Sequence, residues 1–441
     1  MKKGKRFAKI LIVGQNFENT TGPGITLSNL FSYYPKDKIA VVTNRQNSNL
    51  AYCDRVYVWG RGEYRYILSK PNANSLIQRT TKHASGVPAR SLLRGYLGDA
   101  IGLLSSMIVL FFGRLKGIFS RQKYHGYCYL STRLYRWIKE YNPDVIYTQL
   151  GGLQPIIIFE QIRIAFQRPY VIHFMDDWIQ KTNELTDNRN WYDLFFNQIR
   201  QAGLLMGICE WMAVEYKSRF GRDFLYYHNP VDVDKWGPKS RQNWDRLGNR
   251  FVIMFAGKLG RKNAALVEVC EAVHELNSGQ DLGVELHVYT NDSESLEAER
   301  LKGYKGIKVF GFVSNERIID VMVAADALLL PLSFEDNYVR VTKLSMPTKT
   351  SEYMISGTPI LVYAHPDTAL NKYAAGYEWG YVVSERTCEA IKNAIMDLYS
   401  DEDLRKRLGE RAVYLAQKRH SLNEVSKDFA SELQLSTQRD T

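Results

Sequence analysis

Apolar runs of strand length alternate with segments of helical length along most of the chain. In the first half these runs occupy residues 8–14, 39–43, 54–59, 144–149, 169–175, 203–209 and 224–228. In the second half they occupy residues 251–257, 284–290, 307–313, 327–333 and 359–364. Near-continuous Val, Ile and Leu between helices is typical of parallel strands that are covered on both faces. The sequence therefore predicts an α/β protein built on parallel sheets.

The alternation is interrupted by a stretch rich in Pro, Gly, Asn and charge at 228–250, which is typical of a linker. We predict two Rossmann-like doubly wound domains, residues 1–238 and 239–441, with a helical section without strands from about residue 387. A length of 441 residues with 45% hydrophobic content is sufficient for two cores. A ligand is expected at the carboxyl ends of the strands, in the cleft between the domains.

Charge and cysteine content limit the classes of binding partner and the cellular compartment. The net charge of +11 predicts an anionic partner, but no motif spacing typical of nucleic-acid binding occurs. Five scattered cysteines form neither a disulfide framework nor a zinc pattern. The basic N-terminus lacks the long apolar core of a secretory signal. We expect a cytoplasmic protein with no nucleic-acid partner.

One segment, 100–136, departs from the general pattern. Its first fourteen residues carry no charge, and residues 114–136 carry six Arg and Lys and no acid. Fourteen residues are too few to span a bilayer, which takes about 20. Two interpretations stay open: an interfacial helix peripheral on an anionic membrane surface, or a buried helix of the first domain.

The stretch MPTKTSEYMISGTPI at 346–360 contains strong helix start and stop signals. Pro347 can begin a helix and Gly357 can end one, which predicts a helix of about three turns. The polar residues near its start are Thr348, Lys349, Thr350 and Glu352. A helix start with hydroxyls and a cation suits a phosphate group, and a carboxylate can accept from two ribose hydroxyls. Simple helix capping is the alternative.

A basic loop follows the first strand of the second domain. Gly257 permits close approach of the backbone, and Lys258, Arg261 and Lys262 place three cations at the carboxyl end of a strand. Anions bind at that position in open α/β sheets. The alternative is an ordinary solvated basic loop.

Two features of the first domain are candidates for function. Gly22 and Gly24 lie between the first strand and the first helix, without the third glycine of a dinucleotide fingerprint, so NAD is not expected. His173 closes a predicted strand and is followed by Asp176 and Asp177. A histidine at this position can be structural or functional.

The order of the motifs in 228–364 resembles the nucleotide-sugar half of GT-B glycosyltransferases, most of all the retaining family-4-like group. These motifs are NPVD, GKLGRK, FGFVSNERI followed by ADALLLPLS, and PTKTSEYMISGTPI. The resemblance implies that Lys258 and Lys262 hold the donor diphosphate, with Arg261 as an alternative to Lys262. It also implies that Glu352 binds the ribose of the donor.

The resemblance assigns further contacts. The start of the 348–357 helix would face the phosphates, and the backbone around Phe310 and Gly311 would border the base. The loop with Gly22 and Gly24 would lie over the donor phosphate and the acceptor. His173 would contact the donor sugar.

One departure from the family pattern concerns the sugar. The family often has a glutamate eight positions before the ribose-binding residue, and this sequence has Leu344 there. Glu335 and Asp336 follow the right predicted strand and are candidates to replace it. The identity of the donor sugar therefore stays open.

The implied activity is transfer of a sugar from a UDP- or GDP-linked donor to a saccharide or lipid-linked acceptor, in polysaccharide or glycolipid assembly. Retention of configuration is expected, with no metal or other cofactor. An inverting enzyme would need a base, for which His173, Asp176 and Asp177 are the good candidates of the first domain. Two alternatives stay open: a degenerate GT-B protein that binds without transfer, and a sugar-nucleotide epimerase.

Overall fold

The computed structural model describes residues 7–19, 21–45, 48–67, 100, 103–104, 107, 125–181, 189–246, 248–259, 264–279, 282–314 and 316–437. These residues belong to two compact units, Met1–Tyr227 with Ser426–Thr441 and His228–Val425.

The first unit contains β1 (Ile10–Val13), β2 (Ile39–Thr43), β3 (Arg55–Val58), β4 (Tyr64–Ile67), β5 (His125–Cys128), β6 (Val145–Thr148), β7 (Tyr170–Phe174), β8 (Leu204–Gly207) and β9 (Leu225–Tyr226). Seven of them form one parallel sheet in the order β3-β2-β1-β6-β7-β8-β9. The remaining two, β4 and β5, form an antiparallel pair that the sequence did not predict. Its described helices are α1 (Gly22–Leu30), α2 (Thr132–Tyr141), α3 (Leu153–Phe166), α4 (Trp178–Lys181), α5 (Arg189–Gln201) and α6 (Glu210–Phe220), with short 3₁₀ turns at Lys36–Lys38 and Arg61–Glu63.

The second unit has a six-stranded parallel sheet. Its strands are β10 (Phe251–Ala256), β11 (Val284–Tyr289), β12 (Ile307–Phe310), β13 (Ala327–Pro331), β14 (Ile360–Tyr363) and β15 (Tyr381–Val383). They lie in the order β12-β11-β10-β13-β14-β15. The helices that follow the linker are α7 (Val233–Trp236), α8 (Ala264–Gly279), α9 (Leu296–Lys302), α10 (Ile318–Val323), α11 (Asp336–Thr342), α12 (Thr350–Ser356), α13 (Ala369–Tyr377), α14 (Cys388–Ser400), α15 (Glu402–Arg419) and α16 (Leu422–Leu435), and a 3₁₀ turn spans Gly237–Lys239.

The predicted fold class is confirmed, because two parallel-sheet α/β units are present. Every apolar run named above contains a strand. Strand β15 was not predicted, because its three residues form no long apolar run. In the second unit, alternate residues of β10 and β11, such as Ile253 and Leu286, pack with Val269 of α8 in one buried cluster.

The division between the units differs from the predicted boundary at residue 238. The structure divides the chain after Tyr227 and returns Ser426–Thr441 to the first unit. Phe429 of α16 explains this return, because its ring packs edge-on against Phe31 and Tyr227 at centroid distances of 5.1 and 5.2 Å. The last helix therefore completes the core of the first unit.

Most of the segment 100–136 lies outside the described residues. Within its described part, Leu104 and Met107 are 59% and 60% exposed, and residues 125–136 contribute β5 and the start of α2. Among the residues that the structure describes, no helix is long and apolar enough to cross a membrane.

Candidate donor-binding site

Helix α12 contains the polar motif and is shorter than predicted. It begins at Thr350 rather than at Pro347, because residues 347–349 form a turn in which the Thr350 amide donates to the Pro347 carbonyl at 3.0 Å. Lys349 occupies the N-cap position. Gly357 ends the helix as predicted, with a left-handed φ of 72°.

Glu352 lies in the first turn of α12 and is half-buried. Burial raises the pKa of its carboxyl group, and the nearby Lys349 ammonium opposes this rise. No hydrogen bond from a described residue reaches the carboxylate. A carboxylate that is partly withdrawn from water and has no protein partner is typical of a ligand site.

Two hydroxyl groups beside Glu352 are also unused. Thr350 and Ser351 are each 2% exposed, and within the described part of the chain neither hydroxyl has a hydrogen-bond partner. The backbone carbonyl of the neighbouring Thr348 accepts from Asn229 Nδ2 at 2.8 Å. Buried hydroxyls normally have partners, so this end of α12 keeps hydrogen-bonding capacity for a polar ligand.

The loop after β10 begins with Gly257. A Cβ atom at this position would lie 2.6 Å from Cζ of Phe255, so only glycine fits without a shift of that ring. Lys258 follows and is exposed at the carboxyl end of the strand. The next amide, of Leu259, donates to Asp292 Oδ2 at 3.1 Å. Asp292 therefore fixes the backbone beside Lys258.

Arg261 and Lys262, the other two predicted phosphate ligands, lie outside the described residues. Their assignment therefore rests on the sequence.

The predicted base-binding residues, Phe310 and Gly311, lie at the end of β12. The ring of Phe310 stacks on Tyr289 with a centroid distance of 4.8 Å and an interplanar angle of 17°. Gly311 is exposed, and the side chain of the following Phe312 is 70% exposed. An exposed aromatic side chain beside a glycine offers a surface on which a planar base can pack.

The residues proposed to replace the glutamate absent at Leu344 follow β13. Leu344 itself is 3% exposed. Glu335 accepts from Arg386 at 2.8 Å, and the same guanidinium pairs with Glu268. Asp336 begins α11 and is exposed. Glu335 is thus already held by a cation, whereas Asp336 faces solvent.

Gly22 and Gly24 lie in the first turn of α1 rather than in the loop before it, which corrects the predicted start of this helix. Thr21 caps the helix, since its hydroxyl accepts from the Gly24 amide at 3.3 Å. A Cβ atom on Gly24 would lie 2.2 Å from Cγ of Glu18. Glu18 in turn accepts from the Thr21 hydroxyl and pairs with Arg45. Close packing of the helix start against Glu18 therefore explains the glycine at position 24.

His173 is fully buried in the core of the first unit. Its Nδ1 atom lies 2.9 Å from the Tyr147 hydroxyl, and its ring packs near Tyr227 and Phe429. Burial lowers the pKa of His173 to about 3, and its Nε2 atom has no hydrogen-bond partner among the described residues. These contacts favour the structural interpretation of this histidine.

The carboxylate of Asp177 also has hydrogen-bond and ion-pair partners within the first unit. Its carboxylate is 1% exposed, forms an ion pair with Arg219 at 2.8 Å and accepts from the Tyr216 hydroxyl at 3.1 Å. Neither residue resembles a free base.

Residues 250–401 match the family model described as glycosyl transferases group 1. This segment is therefore similar to the group 1 glycosyltransferases. It contains the described Lys258 and Glu352 and most of the second unit. The resemblance predicted from the motifs is confirmed.

Solved structures with the GT-B fold resemble the whole chain. Anabaena HepE in complex with UDP and glucose is 15% identical, with a TM-score of 0.60 over 97% of this chain and 99% of that chain. Sucrose-phosphate synthase from Thermosynechococcus elongatus is 12% identical, with a TM-score of 0.62 over 98% and 99%. WaaG, a glycosyltransferase involved in lipopolysaccharide biosynthesis, is 13% identical, with a TM-score of 0.55 over 96% and 98%. A comparison with curated proteins gave no match.

Sequence reasoning missed two side chains beside the group 1 motifs. Asp292 comes two residues after the predicted strand at 284–290, and Tyr353 directly follows Glu352. The Tyr353 hydroxyl accepts from the Ala256 amide at 2.9 Å. Polar residues just after a strand are a signal for Asp292, but the sequence contains no signal that joins Tyr353 to β10.

Proposed function

We propose that this protein is a retaining glycosyltransferase that moves a sugar from a nucleoside-diphosphate donor to an acceptor hydroxyl. The observation that carries the proposal is the match over residues 250–401. The unused polar groups at the start of α12 support it. Within the proposal, Glu352 binds the ribose, and Lys258 and Lys262 hold the diphosphate, with Arg261 as the alternative to Lys262.

The remaining donor contacts are proposed from the same geometry. Hydroxyls of Thr350 and Ser351, together with Lys349, are available to the phosphates of the donor. The exposed backbone at Gly311 and the neighbouring Phe312 ring border the base. Asp336, which is exposed and not paired like Glu335, is the better candidate to contact the sugar.

The proposed reaction exchanges two bonds at the anomeric carbon. The bond from this carbon to the diphosphate oxygen breaks, and a bond to the acceptor oxygen forms on the same face of the sugar. The acceptor proton passes to an oxygen of the departing diphosphate. Lysine ammonium groups stabilise the negative charge that develops there.

The state of two of the three candidate bases in the first unit, His173 and Asp177, favours retention. An inverting reaction needs a side chain that accepts the acceptor proton. His173 is buried and its pKa is lowered to about 3, and Asp177 is paired with Arg219. A retaining reaction needs no such residue, because the leaving diphosphate takes the proton.

We further propose a saccharide or lipid-linked acceptor, polysaccharide or glycolipid assembly as the pathway, and a cytoplasmic location with peripheral contact to anionic membranes. The net charge of +11 and the basic part of 100–136 support the membrane contact. The neighbour WaaG is involved in lipopolysaccharide biosynthesis, which supports the acceptor class.

One observation favours a second candidate, a GT-B protein that binds a nucleotide sugar without transfer. Leu344 is buried where the family often has a glutamate, and Glu335 is paired with Arg386. Separate measurements of nucleotide-sugar binding and of sugar release distinguish the two functions.

A thermal-shift screen with UDP- and GDP-sugars tests binding, since a ligand at 100 times its Kd adds about 2.7 kcal/mol of stability. UDP-glucose comes first, because HepE binds it. Release of free sugar without acceptor then tests catalysis, and the anomeric configuration of a transfer product tests retention. Binding without any sugar release would favour the second candidate, and no binding would contradict both.

A further inference from the structure

The central strands of the second sheet separate at their carboxyl ends. Strand β10 pairs with β11 along its full length, from Phe251 to Ala256. Its pairing with β13 covers only Ile253 with Ala327 and Met254 with Leu328. The strand order reverses between β10 and β13, and open α/β sheets bind ligands at such a point.

On either side of this short pairing, backbone amides of β10 donate to side-chain oxygens instead of to β13. Successive amides of a strand point to opposite neighbours, so Val252, Met254 and Ala256 present theirs on the side of β13. The Val252 amide donates to Asp326 Oδ2 at 2.8 Å. The Ala256 amide donates to the Tyr353 hydroxyl at 2.9 Å. Tyr353 thus takes the place of a backbone partner at the end of β10.

This hydrogen bond connects the two parts of the candidate site. Tyr353 directly follows Glu352 on α12, and Ala256 comes two residues before Lys258. Among the hydrogen bonds of described residues, it is the one that joins α12 to 251–259. Tyr353 is fully buried, and its hydroxyl is already bonded to the Ala256 amide, so it supports the site without contacting the ligand.

We propose that Tyr353 is a positioning residue that sets the distance between Lys258 and Glu352 for one nucleoside diphosphate. The inference rests on the proposed function, because it assumes that Lys258 binds the phosphates and Glu352 the ribose. A fixed distance lets both ends of the donor bind at once, and this raises the affinity for the joined ligand above that for its parts.

The variant Tyr353→Phe keeps the ring and removes the acceptor. We expect the Kd of UDP, or of GDP if the wild type prefers it, to rise about tenfold, which is within the range for an unsatisfied buried amide. The Kd values of the nucleoside alone and of inorganic pyrophosphate alone should change less than about twofold, because each uses only one part of the site. Competition titrations with a fluorescent nucleotide measure all three constants.

Tyr373→Phe is the matched control. Tyr373 is also fully buried in the second unit, and its hydroxyl lies 2.7 Å from Nε2 of His420. This variant should lose a similar amount of thermal stability and keep the wild-type Kd for the nucleotide.

An unchanged nucleotide Kd in folded Tyr353→Phe would overturn the inference and leave the proposed function intact. Equal losses for nucleotide, nucleoside and pyrophosphate would also overturn it, because they would indicate general damage. Failure of the wild type to bind either nucleotide would instead overturn the proposed function. Should the variant not fold, hydrogen exchange in the wild type decides: nucleotide binding should slow exchange of the Ala256 amide, and an unchanged rate would refute the link.

Discussion

His173 in the first unit and Glu352 in the second are both ionisable residues whose pKa burial shifts towards the neutral form. Their surroundings differ. His173 has the Tyr147 hydroxyl beside Nδ1, and its Nε2 atom, which has no partner among the described residues, is enclosed in the core by aromatic rings. Glu352 also accepts no hydrogen bond from a described residue, but it is only half-buried. The comparison shows that burial alone does not mark a functional residue. An unused hydrogen-bonding capacity at a place that a ligand can reach is the more informative sign.

The largest expected effect concerns the cations of the second unit. Lys262→Ala should slow turnover by about 10²–10³-fold, because a cation at the departing diphosphate stabilises the transition state more than the bound donor. Lys258→Ala should behave similarly, and the double variant should be non-additive because both residues share one partner. Single-turnover sugar transfer measures the effect, with circular dichroism to check folding.

Arg261→Ala is the control for the position of the loop residues. Normal turnover in Lys262→Ala together with loss of activity in Arg261→Ala would assign the second phosphate contact to Arg261. Full activity in both variants would contradict a phosphate site in this loop.

Glu352→Gln should weaken donor binding by about 1.5–3 kcal/mol, the range for a hydrogen bond to a charged group. Because burial raises the pKa of Glu352, wild-type binding should also weaken as the pH falls, at a higher pH than for an exposed glutamate. Isothermal titration with the donor measures both effects. Glu285→Gln is the control, since Glu285 is already paired with Lys308 at 2.7 Å. Equal donor affinities in Glu352→Gln and the wild type would show that the Glu352 carboxylate does not bind the donor.

For His173 the expected effect is on stability. Its pKa is lowered to about 3 in the folded protein, so below the ordinary value of about 6.5 only the unfolded chain binds the proton. The stability that neutral His173 contributes is complete above pH 6.5, and it falls by about 1.4 kcal/mol for each pH unit down to the folded pKa. Urea unfolding at pH 7.5 and 5.5 should show a smaller loss in His173→Gln than in the wild type.

Transfer activity of the same variant tests the comparison between the two units. A folded His173→Gln protein should retain sugar transfer at pH 7.5. Abolished transfer with unchanged stability would make His173 a functional residue and break the contrast with Glu352.

The sequence predicted most of the sheet architecture because buried parallel strands are long apolar runs. It failed where that signal is weak: the three residues of β15 and the antiparallel pair β4 and β5. It also placed the last helix in the second unit, because nothing local shows that Phe429 packs on Phe31.

Part of the candidate site could also be predicted, because it lies in local sequence motifs. Glu352 and Lys258 lie in motifs of fixed spacing that the sequence displays. The contact between Tyr353 and Ala256 joins residues 97 positions apart and depends on where β10 and β13 separate. Likewise, the sequence could not show that Arg386 forms an ion pair with Glu335. Such contacts are properties of tertiary packing, not of local pattern.

The smallest expected effect concerns Asp292, which supports the second-unit loop without belonging to the motifs. Its carboxylate accepts from the Leu259 amide at 3.1 Å, and its own amide donates to the Thr290 hydroxyl. Asp292→Ala removes the first contact and should weaken donor binding by about 1 kcal/mol, the net value of an ordinary hydrogen bond. Asp292→Asn keeps an acceptor oxygen and should recover most of this loss, whereas a direct role of the negative charge would make both variants equally weak. Donor titrations of the two variants at one ionic strength distinguish these outcomes. If Asp292→Ala binds the donor as tightly as the wild type, the hydrogen bond between Asp292 and the Leu259 amide does not contribute to the donor site.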